Sequence, residues 1–131
     1  MKITQTVLDE LTAKAKESPR LRMNLDLRDS AEDTSQRMLN AIEPGSPLPI
    51  HRHQNTSETV VCIRGRLVEE FYDGLERICT ERIELSPNGP VLALNIPAGQ
   101  WHTVQALESG TVILEMKNGK YEPISDVDIL K

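Results

Sequence analysis

Closely spaced turn signals divide most of this sequence into short apolar segments, and this spacing constrains the fold more than any other feature. The signals are short groups rich in Gly, Pro, Asn and Asp, at 44–45, 73–74, 88–90, 97–99, 109–110 and 118–119. The segments between them are rich in Val, Ile, Leu and Thr, and they span 59–64, 67–72, 78–85, 91–96, 103–107 and 111–116. Many short strands at this spacing predict a β-sandwich or barrel rather than alternating βαβ units.

The N-terminal segment follows a helical pattern instead. Four apolar residues lie at helical spacing: Val7, Leu8, Leu11 and Ala15. Thr6 is the expected cap. Ser18 precedes Pro19, and a residue before proline is pushed out of the helical region, so the helix ends there. We therefore predict a short N-terminal helix near residues 6–17.

Beyond the proline the hydrophobic period changes to two. Over residues 20–28, four apolar residues alternate strictly with polar ones: Leu21, Met23, Leu25 and Leu27. This alternation predicts a half-buried strand, and residues 36–42 predict a second one. The chain is thus predicted to be a single all-β domain over residues 1–131. Residues 1–18 would form a helical appendage, and residues 19–131 would form a β-barrel.

Length and composition disfavour several classes of protein. A chain of 131 residues suits one domain. The net charge of −5 argues against a nucleic-acid partner, because phosphate neutralisation needs a basic surface. The longest apolar runs have four residues, whereas a membrane span needs about 20. The first residues lack the apolar region of a signal peptide. The two cysteines, Cys62 and Cys79, are far apart and form no CxxC motif. We therefore expect a reduced, cytoplasmic protein without a membrane partner.

The three histidines of the chain fall in two short segments. His51 and His53 are two residues apart, so on an extended strand their side chains point to the same face. Glu58 opens the next strand after a turn, and His102 begins a later strand. Three imidazoles and a carboxylate suit one divalent transition metal ion, Zn, Fe, Mn, Ni or Cu, with an open side for water or substrate. We predict these four residues as its ligands; alternatively, Glu58 accepts a hydrogen bond from a ligand imidazole.

The two histidine segments resemble the two sequence motifs of the cupin superfamily. All fixed positions of the first motif are matched, by Gly45, His51, His53, Glu58 and Gly65. The core of the second motif is matched by Pro97, Gly99 and His102. Val91 and Ala106 stand where the second motif has its leading glycine and trailing asparagine. The resemblance implies a small cupin barrel, which is a double-stranded β-helix of jelly-roll type.

A closer resemblance, to the WbuC-type cupin-fold metalloproteins, covers nearly the full length. It rests on PRLRMNL at 19–25, QRMLNA at 36–41, HRH at 51–53, IPAGQWH at 96–102 and EMKNGKY at 115–121. Genes of that family are often found among polysaccharide and O-antigen genes. The resemblance therefore implies a small polar, sugar-related ligand such as a sugar or a sugar nucleotide, without implying a particular reaction.

Three arginines are candidates for binding an anionic group of such a substrate: Arg22, Arg37 and Arg64. The first two lie on polar faces of early strands, and Arg64 shares the parity of Glu58 along its strand. A guanidinium group at a barrel mouth binds carboxylate or phosphate through paired hydrogen bonds. The alternative for each is a solvated salt bridge. Arg52, between the two histidines, is expected to point away from the metal.

The residues leave three functions open. The first is a metalloenzyme acting on a small polar metabolite by isomerisation, epimerisation or oxygenation, since the ligand set does not fix the chemistry. The second is a non-catalytic sensor or sugar-binding cupin. The third is a metal-free sugar isomerase or epimerase. With each histidine assigned to the metal, proton transfer would need Glu58, a tyrosine or bound water. We also expect a homodimer, because the stripe from Leu21 to Leu27 could lie across a partner's sheet.

Overall fold

The strands begin and end close to the turn signals of the sequence. A computed structural model describes all residues, 1–131. Its elements are α1 (Gln5–Glu17), β1 (Arg22–Asp26), β2 (Ser35–Ile42), β3 (Glu58–Arg64), β4 (Leu67–Tyr72), β5 (Cys79–Leu85), β6 (Ala93–Ile96), β7 (Trp101–Ala106), β8 (Val112–Asn118) and a 3₁₀ turn (Asp126–Asp128). The strands form two antiparallel sheets, in the orders β1-β2-β8-β3-β6 and β5-β4-β7. The predicted all-β architecture with one short N-terminal helix is confirmed.

The space between the two sheets holds the main hydrophobic core. Leu67 and Leu85 of the small sheet pack there with Val60 and Ile113 of the large sheet, and all four are at most 1% exposed. Cys62 is 3% exposed in the same core, as expected for a small apolar residue.

Helix α1 covers the outer face of the large sheet. Leu8, Leu11 and Ala15 pack against Leu39 and Ala41 of β2 and form a second core. The helix is therefore an integral layer of the domain. Its cap differs from the prediction: the helix begins at Gln5, and the Thr4 hydroxyl accepts a hydrogen bond from the Val7 N–H. Thr6 lies inside the first turn, where it cannot cap.

The apolar stripe of the first strand faces the same helix. Met23, Leu25 and Leu27 pack against the second core, beneath α1. Leu21 precedes β1 with a positive φ of 54° and does not continue the strand. The stripe thus contacts its own chain, so an interface between copies would need another surface. None of the helices has the length and apolar content of a membrane span.

Candidate metal centre

Backbone hydrogen bonds hold the two histidine segments together. The N–H of His51 donates to the carbonyl of His102 at 3.0 Å, and the N–H of His102 donates back at 2.8 Å. The carbonyl of His53 accepts from the N–H of Gly99 at 2.7 Å, in the turn that leads into β7. On its other side, His51 forms a β-bridge with Ile129. Residues far apart in sequence are thus fixed side by side.

The four residues predicted as ligands converge at this point. One ring nitrogen from each of His51, His53 and His102 lies within 4.8 Å of the others. Glu58, the first residue of β3, has its Oε2 atom 3.1 Å from Nε2 of His53 and 3.8 Å from Nε2 of His102. Three nitrogens and one carboxylate oxygen around a common point match the donor set of a borderline transition metal.

Backbone carbonyls orient two of the rings. Nδ1 of His51 lies 3.1 Å from the carbonyl of Pro49, and Nδ1 of His102 lies 2.9 Å from the carbonyl of Gln100. A carbonyl oxygen only accepts, so each Nδ1 carries the proton and donates it. The lone pair is then on Nε2, which is the arrangement that supporting hydrogen bonds impose on metal-binding histidines.

The electrostatics favour the ligand forms of these groups. Burial, together with the neighbouring His102, lowers the pKa of His51 to about 4. Burial also lowers the pKa of His102. For Glu58, burial raises the pKa, but the hydrogen bond from His53 and the imidazole of His102 outweigh it, and the net shift is downward. Neutral imidazoles beside an ionised carboxylate are the forms that bind a cation.

A polar cavity of about 260 Å³ opens beside the histidines. Gln36 and Asn40 line it from β2, Glu115 and Lys117 line it from β8, and Glu69 lines it from β4. Desolvation and the nearby charge of Glu58 raise the pKa of Glu115 to about 8. Burial raises the pKa of Glu69 well above its usual range, and the charges of Glu58 and Glu115 add to this shift. Two carboxyl groups with raised pKa values thus line the cavity beside the candidate metal centre, and the pKa of Glu115 keeps that group protonated at neutral pH.

The sequence interpretation missed Glu69 and Glu115 as acid–base groups. The signal that identifies them is parity within their strands. Glu69 shares the face of Leu67, and Glu115 shares the face of Ile113, and both of these apolar residues are fully buried. A charged residue in register with core residues points inward.

The predicted anion-binding arginines differ in position. Arg22 lines the cavity together with Arg20. Its guanidinium group donates to the carbonyl of Pro47 at 2.7 Å. Burial and the positive charge of Arg20 lower the pKa of Arg22. Two neighbouring cations therefore stand at the mouth of the site.

Arg37 and Arg64 lie outside the cavity, which corrects the prediction. Arg37 is on the face of β2 that the helix covers, and it forms an ion pair with Asp33 at 3.0 Å. Arg64 pairs with Asp9 of α1 at 2.7 Å. The parity argument failed for Arg64 because a β-bulge shifts the register of β3 between Cys62 and Arg64.

Arg52 points away from the histidines, as predicted. It forms an ion pair with Asp128 at 3.0 Å, and its guanidinium lies 4.5 Å from the ring centroid of Trp101. This cation–π contact joins the first histidine segment to β7 on the outer side of the centre. Trp101 is therefore a packing residue.

The fold is the cupin fold, and a solved structure described as a cupin domain is among those that match. Residues 3–85 match the family model "Domain of unknown function (DUF6016)", and the chain belongs to this family. No curated protein matches the sequence.

Three solved structures illustrate the fold similarity. KdgF from Halomonas sp. aligns with a TM-score of 0.61 at 16% identity, over 79% of this chain and 84% of KdgF. An oxalate oxidase solved with glycolate aligns with a TM-score of 0.66 at 17% identity, over 86% of this chain and 58% of its own. The capsular polysaccharide assembling protein CapF from Staphylococcus aureus aligns with a TM-score of 0.56 at 23% identity, over 77% of this chain and 30% of CapF. The chain thus spans most of KdgF but a smaller part of the other two.

Proposed function

We propose that this protein is a metal-dependent cupin in which His51, His53, His102 and Glu58 bind one divalent transition metal ion, Zn, Fe, Mn, Ni or Cu. The observation that carries the proposal is the convergence of three ring nitrogens within 4.8 Å, with Nδ1 of two rings held by backbone carbonyls. We further propose that the centre acts on a small polar metabolite bound in the adjoining cavity.

The cavity supplies the groups that proton-transfer chemistry needs. A bound metal ion would polarise a carbonyl or hydroxyl group, or activate water or dioxygen. Glu115, with its pKa near 8, holds a proton at neutral pH and is matched to donate or accept one near that pH. Glu69 is a second buried acid on the opposite sheet. Isomerisation or epimerisation by proton transfer therefore fits the site better than the sequence alone suggested.

A sugar-related metabolite is the proposed substrate class. Support comes from the resemblance to WbuC-type cupin-fold metalloproteins, to which we propose this chain is related, and from the fold similarity to a capsular polysaccharide assembling protein. The cavity volume of about 260 Å³ is slightly below the usual range of ligand pockets, which is about 300 to 1,000 Å³. A single sugar unit fits this size better than a whole sugar nucleotide does. Arg22 is the proposed contact for a charged group.

Elemental analysis of single variants tests the metal centre. We expect one metal ion per chain in the purified protein, and loss of metal in His51→Ala, His53→Ala and His102→Ala. Glu58→Gln separates its two roles: a ligand variant should lose metal as the histidine variants do, whereas a variant that removes only a hydrogen-bond acceptor should retain more. Glu84→Gln, an exposed residue of β5, is the matched control. Full metal content in all three histidine variants would refute the proposal.

Turnover measurements separate the three functional classes. A panel of sugars and sugar nucleotides, assayed with the metal-loaded and the chelator-treated protein, distinguishes a metalloenzyme from a metal-free isomerase. Binding without turnover in every form identifies a sensor or sugar-binding cupin. Metal release on acidification is expected in all metal-dependent cases, because protons compete for the imidazoles.

A homodimer and a cytoplasmic location are also proposed. The two cysteines, Cys62 and Cys79, are both free thiols in the structure, which agrees with a reducing compartment. Two of the edge strands, β6 in the large sheet and β5 in the small one, are the proposed surfaces that a partner copy would cover.

A further inference from the structure

Three buried oxygen atoms beside the metal centre have no hydrogen-bond partner within the protein. They are Oε1 of Gln36, Oδ1 of Asn40 and Oε2 of Glu69. The three residues are 9%, 7% and 2% exposed, and all of them line the cavity that contains the histidines. A buried polar atom without a partner is costly, and a cluster of them in one cavity indicates that a ligand supplies the partners.

Unpaired positive charges line the same cavity. Of the nine arginines in the chain, six form ion pairs with carboxylates. Two of the other three, Arg20 and Arg22, stand together at the cavity wall, and Lys117 is a third cation there without an ion pair. Arg22 donates only to uncharged oxygens, those of Pro47 and Ser46. A guanidinium carries five N–H donors, so further donors are free for a ligand.

We propose that the cavity selects a small polyhydroxylated anion: a carbohydrate-sized molecule that carries one carboxylate or phosphate group. Its hydroxyl groups hydrogen-bond to Gln36, Asn40 and Glu69, and its anionic group is bound by Arg22 with Arg20 beside it. This inference rests on the proposed function for its location and adds the chemical class of the ligand.

The two halves of this recognition are chemically distinct. A hydroxyl group both donates and accepts, so it can satisfy an amide oxygen or a carboxyl group, whichever proton state the latter has. An anion gains charge-assisted bonds that a neutral polyol cannot form. A fatty acid of similar length has the charge but leaves the three buried oxygens unsatisfied. Both features together are therefore required.

Calorimetric binding of matched small probes tests the proposal. D-Gluconate carries a carboxylate and hydroxyl groups, and D-glucose 6-phosphate carries a phosphate and hydroxyl groups. D-Glucitol lacks the charge, and hexanoate lacks the hydroxyl groups. We expect at least one of the two hydroxylated anions to bind about tenfold or more tightly than both D-glucitol and hexanoate. The preferred anion then identifies the carboxylate or the phosphate as the recognised group.

Single substitutions test which residues bind the anionic group and which bind the hydroxyl groups. Arg22→Gln should weaken the binding of the hydroxylated anion about tenfold and leave the affinity for D-glucitol unchanged. Asn40→Leu should weaken the binding of both the anion and D-glucitol. Arg77→Gln, which removes an exposed unpaired arginine away from the cavity, is the matched control and should change neither. Thermal melting of each variant verifies that it is folded.

The outcomes separate this inference from the metal proposal. If neither hydroxylated anion binds more tightly than D-glucitol and hexanoate, or if Arg22→Gln and Arg77→Gln behave alike, the inference is refuted. Each titration is done with metal-loaded and chelator-treated protein. Arg22-dependent binding by a protein that takes up no metal when metal is supplied would support the inference while refuting the metal centre. Full metal content of the wild-type protein with no selective binding would refute the inference and leave the metal proposal standing.

Discussion

The raised pKa of Glu115 predicts that the free energy of unfolding depends on pH, and the Glu115→Gln variant should lose this dependence. The pKa of Glu115 is raised from 4.5 to about 8, by desolvation first and by the charge of Glu58 second. Between these two values the unfolded chain is ionised at this position and the folded chain is protonated. The unfolded state then binds fewer protons, so the free energy of unfolding falls as the pH rises. Each pH unit costs about 1.4 kcal/mol, which amounts to about 5 kcal/mol over the whole range.

Urea denaturation of the wild type and Glu115→Gln at several pH values measures this effect. The variant lacks the titration, so its stability relative to the wild type should rise by about 4 kcal/mol between pH 5 and pH 8. A chelator is present throughout, so that no bound cation changes the charge balance. Glu81→Gln, an exposed residue of β5, is the control and should run parallel to the wild type. Parallel curves for Glu115→Gln as well would refute the assignment of Glu115 as a neutral acid.

Three further changes test other parts of the fold. Gly65→Ala should lower the free energy of unfolding by at least about 2 kcal/mol, because Gly65 has φ = +85° and an added Cβ would lie 2.3 Å from Oγ1 of Thr111. Gly119 has φ = +100° and open space around it, so Gly119→Ala should lower the free energy of unfolding, measured by urea titration, by less than Gly65→Ala does. Arg64→Met should destabilise the domain by about 2 kcal/mol in thermal or urea melts, since Arg64 joins β3 to α1; an unchanged midpoint would contradict that role. Light scattering should give twice the chain mass of 14.7 kDa, and a monomer at high concentration would contradict the dimer.

The strands and the four candidate ligands were predictable because their signals are local. Residues 67–72 were predicted as a strand from the flanking turns, and β4 has these same bounds. Spacing alone placed His51 and His53 on one face and Glu58 at the start of the returning strand. The turn at Gly99 likewise directs the strand that carries His102. Each inference needed only neighbouring residues and the period of a strand.

The failed predictions at the candidate site required information from distant parts of the chain. A β-bulge in β3 sends Arg64 towards the helix, and nothing in the local sequence marks this shift of register. The position of α1 on the large sheet determines that Arg37 faces away from the cavity. Glu69 and Glu115 are the intermediate case: strand parity points both inward, but only the three-dimensional arrangement puts them in one cavity with the histidines.

The two backbone hydrogen bonds between His51 and His102 also have a consequence for folding kinetics. These residues are distant in sequence, so the entropy of closing a long loop opposes their contact until the sandwich is largely assembled. An unfolded chain offers a cation only the nearby pair His51 and His53. A metal ion should therefore bind the native state far more tightly than the unfolded chain, and stabilise it in proportion to the logarithm of its concentration. Its main kinetic effect should be slower unfolding rather than faster folding.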